Sequence, residues 1–290
     1  MADWNEQKSF SEKSISAGLV CFSAFGVNIA VEYETPIFTE IEILQNLKRI
    51  VPPGNQISES EKTTHRFKIL TSDFDGKPVF EAFKEEEKIA VAGTKSLLFD
   101  LFESRFRLTI AEFAVGKVFL HAGVVGWKGK GLVLPGKSFH GKTTLVAELV
   151  KRGASYYSDE YAVLDEDGFV HPFPKMLSVR GIIDEFQQMD LPVETFGGKA
   201  AVKPCEVGMV LLTEFEKEAL WKPEIINPGE GMLEIISHTI PIRYKPEFSL
   251  KVLNKIVNRA IITKSQRGEA VVFADLILDF FERQVIEKLF

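Results

Sequence analysis

Gly131-Leu-Val-Leu-Pro135-Gly136-Lys137-Ser138-Phe139-His140-Gly141-Lys142-Thr143-Thr144-Leu-Val-Ala-Glu-Leu-Val150 reads as a strand, a glycine-bracketed loop and a helix. Gly136 to Thr143 fits G-x-x-x-x-G-K-[S/T] at every fixed position. At average residue frequencies, a chain of this length meets those four positions by chance about once in a hundred cases. The apolar run before the loop and the helix-competent run after it are the context the motif requires. Glycines let successive backbone N–H groups point inward at phosphate oxygens, and the helix N-terminus adds partial positive charge. The loop residues Gly136, Lys137, Ser138, Phe139, His140 and Gly141, with Thr144 opening the helix, are therefore expected to cradle a nucleotide. Lys142 would reach the β- and γ-phosphates, and Thr143 would offer its hydroxyl to Mg²⁺. The plain alternative is a glycine-rich turn that only joins strand to helix.

A loop that holds phosphate says little about what is done with it. Chemistry needs a second metal contact and usually a base. The strand expected after the loop helix runs through Tyr156-Tyr157-Ser158-Asp159-Glu160 and ends on adjacent carboxylates. One would bind Mg²⁺ and the other would orient or deprotonate an acceptor hydroxyl; a solvated acid pair is the alternative. His121 lies on the strand before the loop. A strand histidine is commonly a satisfied core residue, but near pH 7 it also serves as a phosphate contact.

The remaining chain frames this segment. Residues 17–33 read as strand, 52–64 as an exposed polar loop, and 66–91 as short strands with a turn at Asp75-Gly76. Apolar spacing from Lys95 to Phe113 predicts an amphipathic helix, and 117–134 predicts two strands around Lys128-Gly129-Lys130. The loop helix should end at Gly153. Strands follow near 156–164 and 206–213, a hairpin turn at 165–168, and helices near 229–238, 247–260 and 274–289. The expected fold class is α/β, with a β-rich N-terminal lobe over residues 1–92 and a loop-bearing domain over 93–290.

Composition excludes several classes. Hydrophobic residues make up 45% and charged residues 26%, which fits neither a disordered chain nor a disulfide mini-scaffold. The net charge of −6 argues against a broad nucleic-acid surface. Between Gly116 and Arg152, however, seven basic residues face a single acid, Glu148, so positive charge is concentrated around the loop. The 24 Phe against 5 Tyr and 3 Trp point to a Phe-rich core. Cys21 and Cys205 form no C-x-x-C pair, the first residues have no signal-peptide pattern, and no run is long enough to span a bilayer. The expectation is a cytoplasmic protein with no membrane or nucleic-acid partner. His171 sits among prolines and reads as a loop residue, while His65 and His238 have no partners at metal-ligand spacing.

On these residues the segment from about 115 to 215 resembles the catalytic domain of the HPr kinase/phosphorylase family, whose fold relates to phosphoenolpyruvate carboxykinase. It is closest to HPr-kinase-related peptide serine kinases. His121 precedes Gly136 by fifteen residues, as in the family; Asp159-Glu160 stands where the family has its acidic pair; Ser178-Val-Arg180-Gly181-Ile-Ile183 matches its Arg-Gly element. The resemblance implies a P-loop kinase domain that uses ATP, or another nucleoside triphosphate, and Mg²⁺. Asp159 would take the proton of a substrate hydroxyl and Glu160 would support the metal. His121 would sit near the transferring phosphate, and Arg180 would neutralise its charge. The acceptor would be a serine in a peptide or small protein; a small-molecule acceptor and a non-catalytic nucleotide-binding module are the alternatives. Ser178 replaces the family's acid tied to phosphorylase activity, so that reverse reaction is not expected. By analogy, Arg243 and Lys245 would approach phosphate and the chain would form homo-oligomers.

Overall fold

The apolar stretch 17–33 is cut by a tight turn at Phe25-Gly26, where both residues have positive φ (50° and 75°). It therefore forms two antiparallel strands, β1 (Ser16–Ala24) and β2 (Val27–Thr35), strand as expected with the break at Gly26. The computed structural model describes residues 16–52, 56–57, 63–136, 141–180 and 188–287 and is mixed α/β. Much of the polar tract 52–64 lies outside the described residues.

The chain divides into two units at Ile110/Ala111. In the first, α1 (Glu40–Ile50) starts at a reciprocal cap: the Glu42 N–H donates to Thr39 Oγ1 at 3.2 Å, and the Thr39 N–H donates to Glu42 Oε2 at 2.9 Å. The strands β3 (Gln56–Ile57), β4 (His65–Phe74), β5 (Lys77–Lys84) and β6 (Glu87–Ala92) complete a 6-stranded sheet ordered β3-β1-β2-β4-β5-β6. Only β2 and β4 run parallel. Helix α2 (Lys95–Phe113) forms as its spacing predicts. Phe102 and Phe106 are fully buried and meet Phe67 and Phe22 with ring centroids 5.3 and 5.8 Å apart. Phenylalanine richness thus has a packing role, since such ring pairs add to the area they bury. Most of this helix packs into the first core, and the division between the two units falls inside α2.

The second unit holds an 8-stranded sheet. Its strands are β7 (Lys117–Trp127), β8 (Lys130–Pro135), β9 (Ser155–Ser158), β10 (Tyr161–Asp165), β11 (Phe169–His171), β14 (Cys205–Phe215), β15 (Glu224–Ile225) and β16 (Ile261–Arg267). A separate ribbon pairs β12 (Leu177–Arg180) with β13 (Gln188–Leu191). The sheet order is β11-β10-β7-β8-β14-β16-β15, with β9 paired to β7. β8, β14 and β16 are parallel neighbours. Their near-continuous apolar runs, such as Leu132-Val133-Leu134 and Met209-Val210-Leu211, follow from burial on both faces. Helices α3 (Lys142–Lys151) and α6 (Ala270–Phe281) cover one face. Helices α4 (Pro228–Ile236) and α5 (Pro246–Arg259) cover the other. The C-terminal helix begins at Ala270, four residues earlier than expected, and passes into a π-helical turn at Glu282–Ile286. The parallel strands place their carboxyl ends together, the position where open α/β sheets bind ligands.

Candidate functional site

β8 delivers the chain to Gly136, and α3 resumes at Gly141, its N-cap, which has φ 72°. Lys137, Ser138, Phe139 and His140 lie outside the described residues. The Lys142 ammonium donates to the Gly136 carbonyl at 2.8 Å. Its burial lowers the lysine pKa to about 8, against the pull of Asp159 and Glu160. Thr144 is exposed on the first turn of α3.

Thr143 points toward the acids: its hydroxyl donates to Asp159 Oδ2 at 3.0 Å. Asp159 is only 5% exposed and accepts from the Tyr156 hydroxyl at 3.0 Å and from the Ser178 N–H at 3.5 Å. Burial, together with the Asp159 charge, raises the Tyr156 pKa, so the phenol stays a donor. Asp159 and Glu160 do not lie on a strand as expected. They form a bend between β9 and β10, where the Ser158 hydroxyl accepts from the N–H groups of Glu160 (3.1 Å) and Tyr161 (3.0 Å). That local bonding replaces ladder bonds and presents both carboxylates at a strand end.

His121 is brought to the same place. β7 pairs it with Tyr161 next to the acid bend, and its carbonyl accepts the Gly136 N–H at 3.3 Å. Burial, followed by the charges of Lys142 and His238, lowers its pKa to about 4, so the imidazole is neutral at pH 7. Lys175 is a site residue that the sequence reading missed. Its ammonium lies 3.6 Å from Asp159 Oδ1 and 3.8 Å from Glu160 Oε2, and donates to Ser178 Oγ at 3.0 Å. The only sequence signal is a lysine shortly before the Arg-Gly element.

Arg180 occupies the end of β12, and its backbone pairs with Gln188. Lys245 donates to the carbonyls of Phe113 (2.7 Å) and Ala114 (2.5 Å), so its ammonium is committed away from a phosphate. Arg243 is exposed. His171 is not a loop residue: it ends β11, with Nε2 2.7 Å from Asp165 Oδ2. A cavity of about 510 Å³ opens beside Gly136 at the ends of β8, β14 and β16, lined by Thr213, Glu214, Glu234, His238 and Gln266 among others. Among the described residues, the Thr213 hydroxyl has no hydrogen-bond partner.

The Thr143 hydroxyl meets Asp159, and Lys175 bridges Asp159 to Glu160, so three oxygen-bearing side chains of the kind that suit a hard cation are linked here. No group of three His, Cys, Asp or Glu side chains that could enclose a metal by themselves occurs among the described residues. Those residues contain no helix long and apolar enough to cross a membrane.

No family model matches the chain. No curated protein matches it. Among solved structures, the chain is similar to the Hpr(Ser) kinase/phosphatase from Coxiella burnetii at 17% identity and a TM-score of 0.33, over 57% of this chain and 97% of that one.

Proposed function

We propose that the chain transfers a phosphoryl group from ATP, or another nucleoside triphosphate, to the hydroxyl of an acceptor, a serine in a peptide or small protein. The observation that carries this reading is the 3.0 Å bond from Thr143 to Asp159, which ties the first turn of the loop helix to a buried carboxylate. Lys142, on the same turn, supplies a positive charge for the β- and γ-phosphates. Bound Mg²⁺ would neutralise charge on the transferring group, held by Thr143 and one of the two acids. Asp159 is bonded to Thr143 and nearly buried, whereas the Glu160 side chain is 22% exposed. That contrast favours Asp159 on the metal side and Glu160 as acceptor of the hydroxyl proton, the reverse of the division drawn from the family resemblance. Neutral His121 would donate to or accept from the substrate without adding charge. Positioning and cations supply most of the catalysis of such a transfer, so a weakly basic carboxylate suffices. The 510 Å³ cavity beside Gly136 favours a second reading, in which the acceptor is a small hydroxyl compound.

The test is transfer of labelled phosphate from ATP–Mg²⁺ to a panel of peptides and small hydroxyl compounds. Transfer should fall by about 10²–10⁴-fold in Glu160→Gln and in Asp159→Asn. Metal-free ATP affinity should change little in either variant. Tight ATP binding with no transfer to any acceptor would identify a non-catalytic nucleotide-binding module instead.

A further inference from the structure

We infer that Arg267 is a positioning residue for the loop: its buried guanidinium fixes the Gly141 carbonyl behind the loop and adds a permanent positive charge to the polyphosphate site. The inference rests on the nucleotide reading above. Arg267 ends β16, more than a hundred residues from the motif, and is 2% exposed. Nη2 donates to the Gly141 carbonyl at 3.0 Å, and Nη1 donates to the Gly268 carbonyl at 3.1 Å. The guanidinium lies 5.8 Å from the centre of the Phe215 ring, and the Arg267 carbonyl accepts the Glu216 N–H at 2.9 Å. One side chain therefore ties the ends of β14 and β16 to the start of α3.

The chemistry of the loop gives that tie its purpose. A phosphate cradle works only if N–H groups face the anion and carbonyls face away. The Gly141 carbonyl receives two donors from behind, Arg267 Nη2 and the Leu145 N–H at 3.1 Å, so it is held off the ligand side. A Cβ at Gly141 would stand 2.6 Å from Nη2 and would push the guanidinium tip off its bond, while the positive φ itself favours glycine here. A guanidinium stays charged even when buried, and burying a charge is costly without compensation. The Gly141 and Gly268 carbonyl dipoles and the charge of Glu269 offset part of that cost here, and an anion at the loop would offset more.

The experiment is metal-free calorimetry on the full chain with ATP, ADP and AMP. Arg267→Met should weaken ATP about tenfold or more, ADP less and AMP least, and Arg267→Lys should recover most of the ATP loss. A merely structural role would lower the melting temperature without grading the loss by phosphate count. ATP affinity within twofold of wild type in Arg267→Met overturns the inference, as does an equal loss for all three ligands that lysine does not recover. Wild-type protein that binds none of them overturns the nucleotide reading and this inference with it. If Arg267→Met does not fold, the wild-type protein carries the test. The Arg267 guanidinium resonance should then shift on saturation with tripolyphosphate, and an unmoved resonance overturns the inference.

Discussion

Raising the pH should weaken polyphosphate binding and strengthen the fold at once, and both effects trace to the Lys142 ammonium. Burial lowers its pKa from 10.5 to about 8; Asp159 and Glu160 resist that shift, and neighbouring His121 is neutral in this range. Between about pH 8 and 10.5 the unfolded chain holds a proton that the folded chain has released. Stability contributed by this group therefore rises with pH across that window. At 1.36 kcal/mol per pH unit, the full gain is about 3 kcal/mol. A bound polyphosphate favours the ammonium, so affinity runs the other way. The protonated fraction of the free protein falls from about nine-tenths at pH 7 to about one-tenth at pH 9, a loss of about tenfold in affinity. Calorimetry with tripolyphosphate in chelator, from pH 7 to 9.5, reads the first effect, and Lys142→Arg should flatten its profile. Urea unfolding of wild type and Lys142→Met from pH 7.5 to 10.5 reads the second, because the difference cancels the other titrating groups. Flat affinity in the wild type, or a stability difference that does not grow above pH 8, would refute the reasoning.

Three further outcomes follow from single contacts. His121 has its pKa lowered from 6.5 to about 4, so the unfolded chain binds a proton first as pH falls and stability drops across that window by about 3 kcal/mol. Acid unfolding of His121→Asn should lack that component. Tyr156→Phe removes the hydroxyl that donates to buried Asp159 and should cost about 1–3 kcal/mol in chemical unfolding. Phe102→Ala, in the Phe67–Phe102–Phe106 cluster, should cost about 3–5 kcal/mol in the same assay.

Local patterns wrote most of this architecture plainly. Helix α2 has the bounds its spacing predicts, although only Leu98, Phe102 and Phe106 of the leading apolar positions are buried while Leu97 and Leu101 are exposed. Helix α3 was legible because a helix-competent run, Thr144 to Val150, follows the glycine at its N-cap and a glycine stands just past its end. Helix α1 was missed although Thr39-x-x-Glu42 announces it, since that capping box precedes a charged and weakly apolar run. The β12–β13 ribbon and β16 were missed for a different reason. Their strands are short or polar, and they are held by neighbours rather than by their own alternation.

The acid pair shows where motif reading stops. A motif specifies adjacent carboxylates, but their roles depend on which atoms already bond them. Asp159 receives donors from three segments: Thr143 on α3, Tyr156 on β9 and the Ser178 N–H on β12. A carboxylate so engaged is fixed in place and has fewer lone pairs left to take a proton. Glu160, one methylene longer and more exposed, would under the proposed function be the acid with reach toward an acceptor entering from solvent. Lys175 spans both acids and lies where a divalent cation would neutralise them, so ion and lysine compete for the same oxygens. Cation binding would then displace the ammonium from the acids toward the transferring phosphate. Mg²⁺ should accordingly bind more tightly to Lys175→Met than to wild type, while phosphoryl transfer by that variant should fall. Weaker Mg²⁺ binding in Lys175→Met would show instead that the lysine holds the acids in place for the metal.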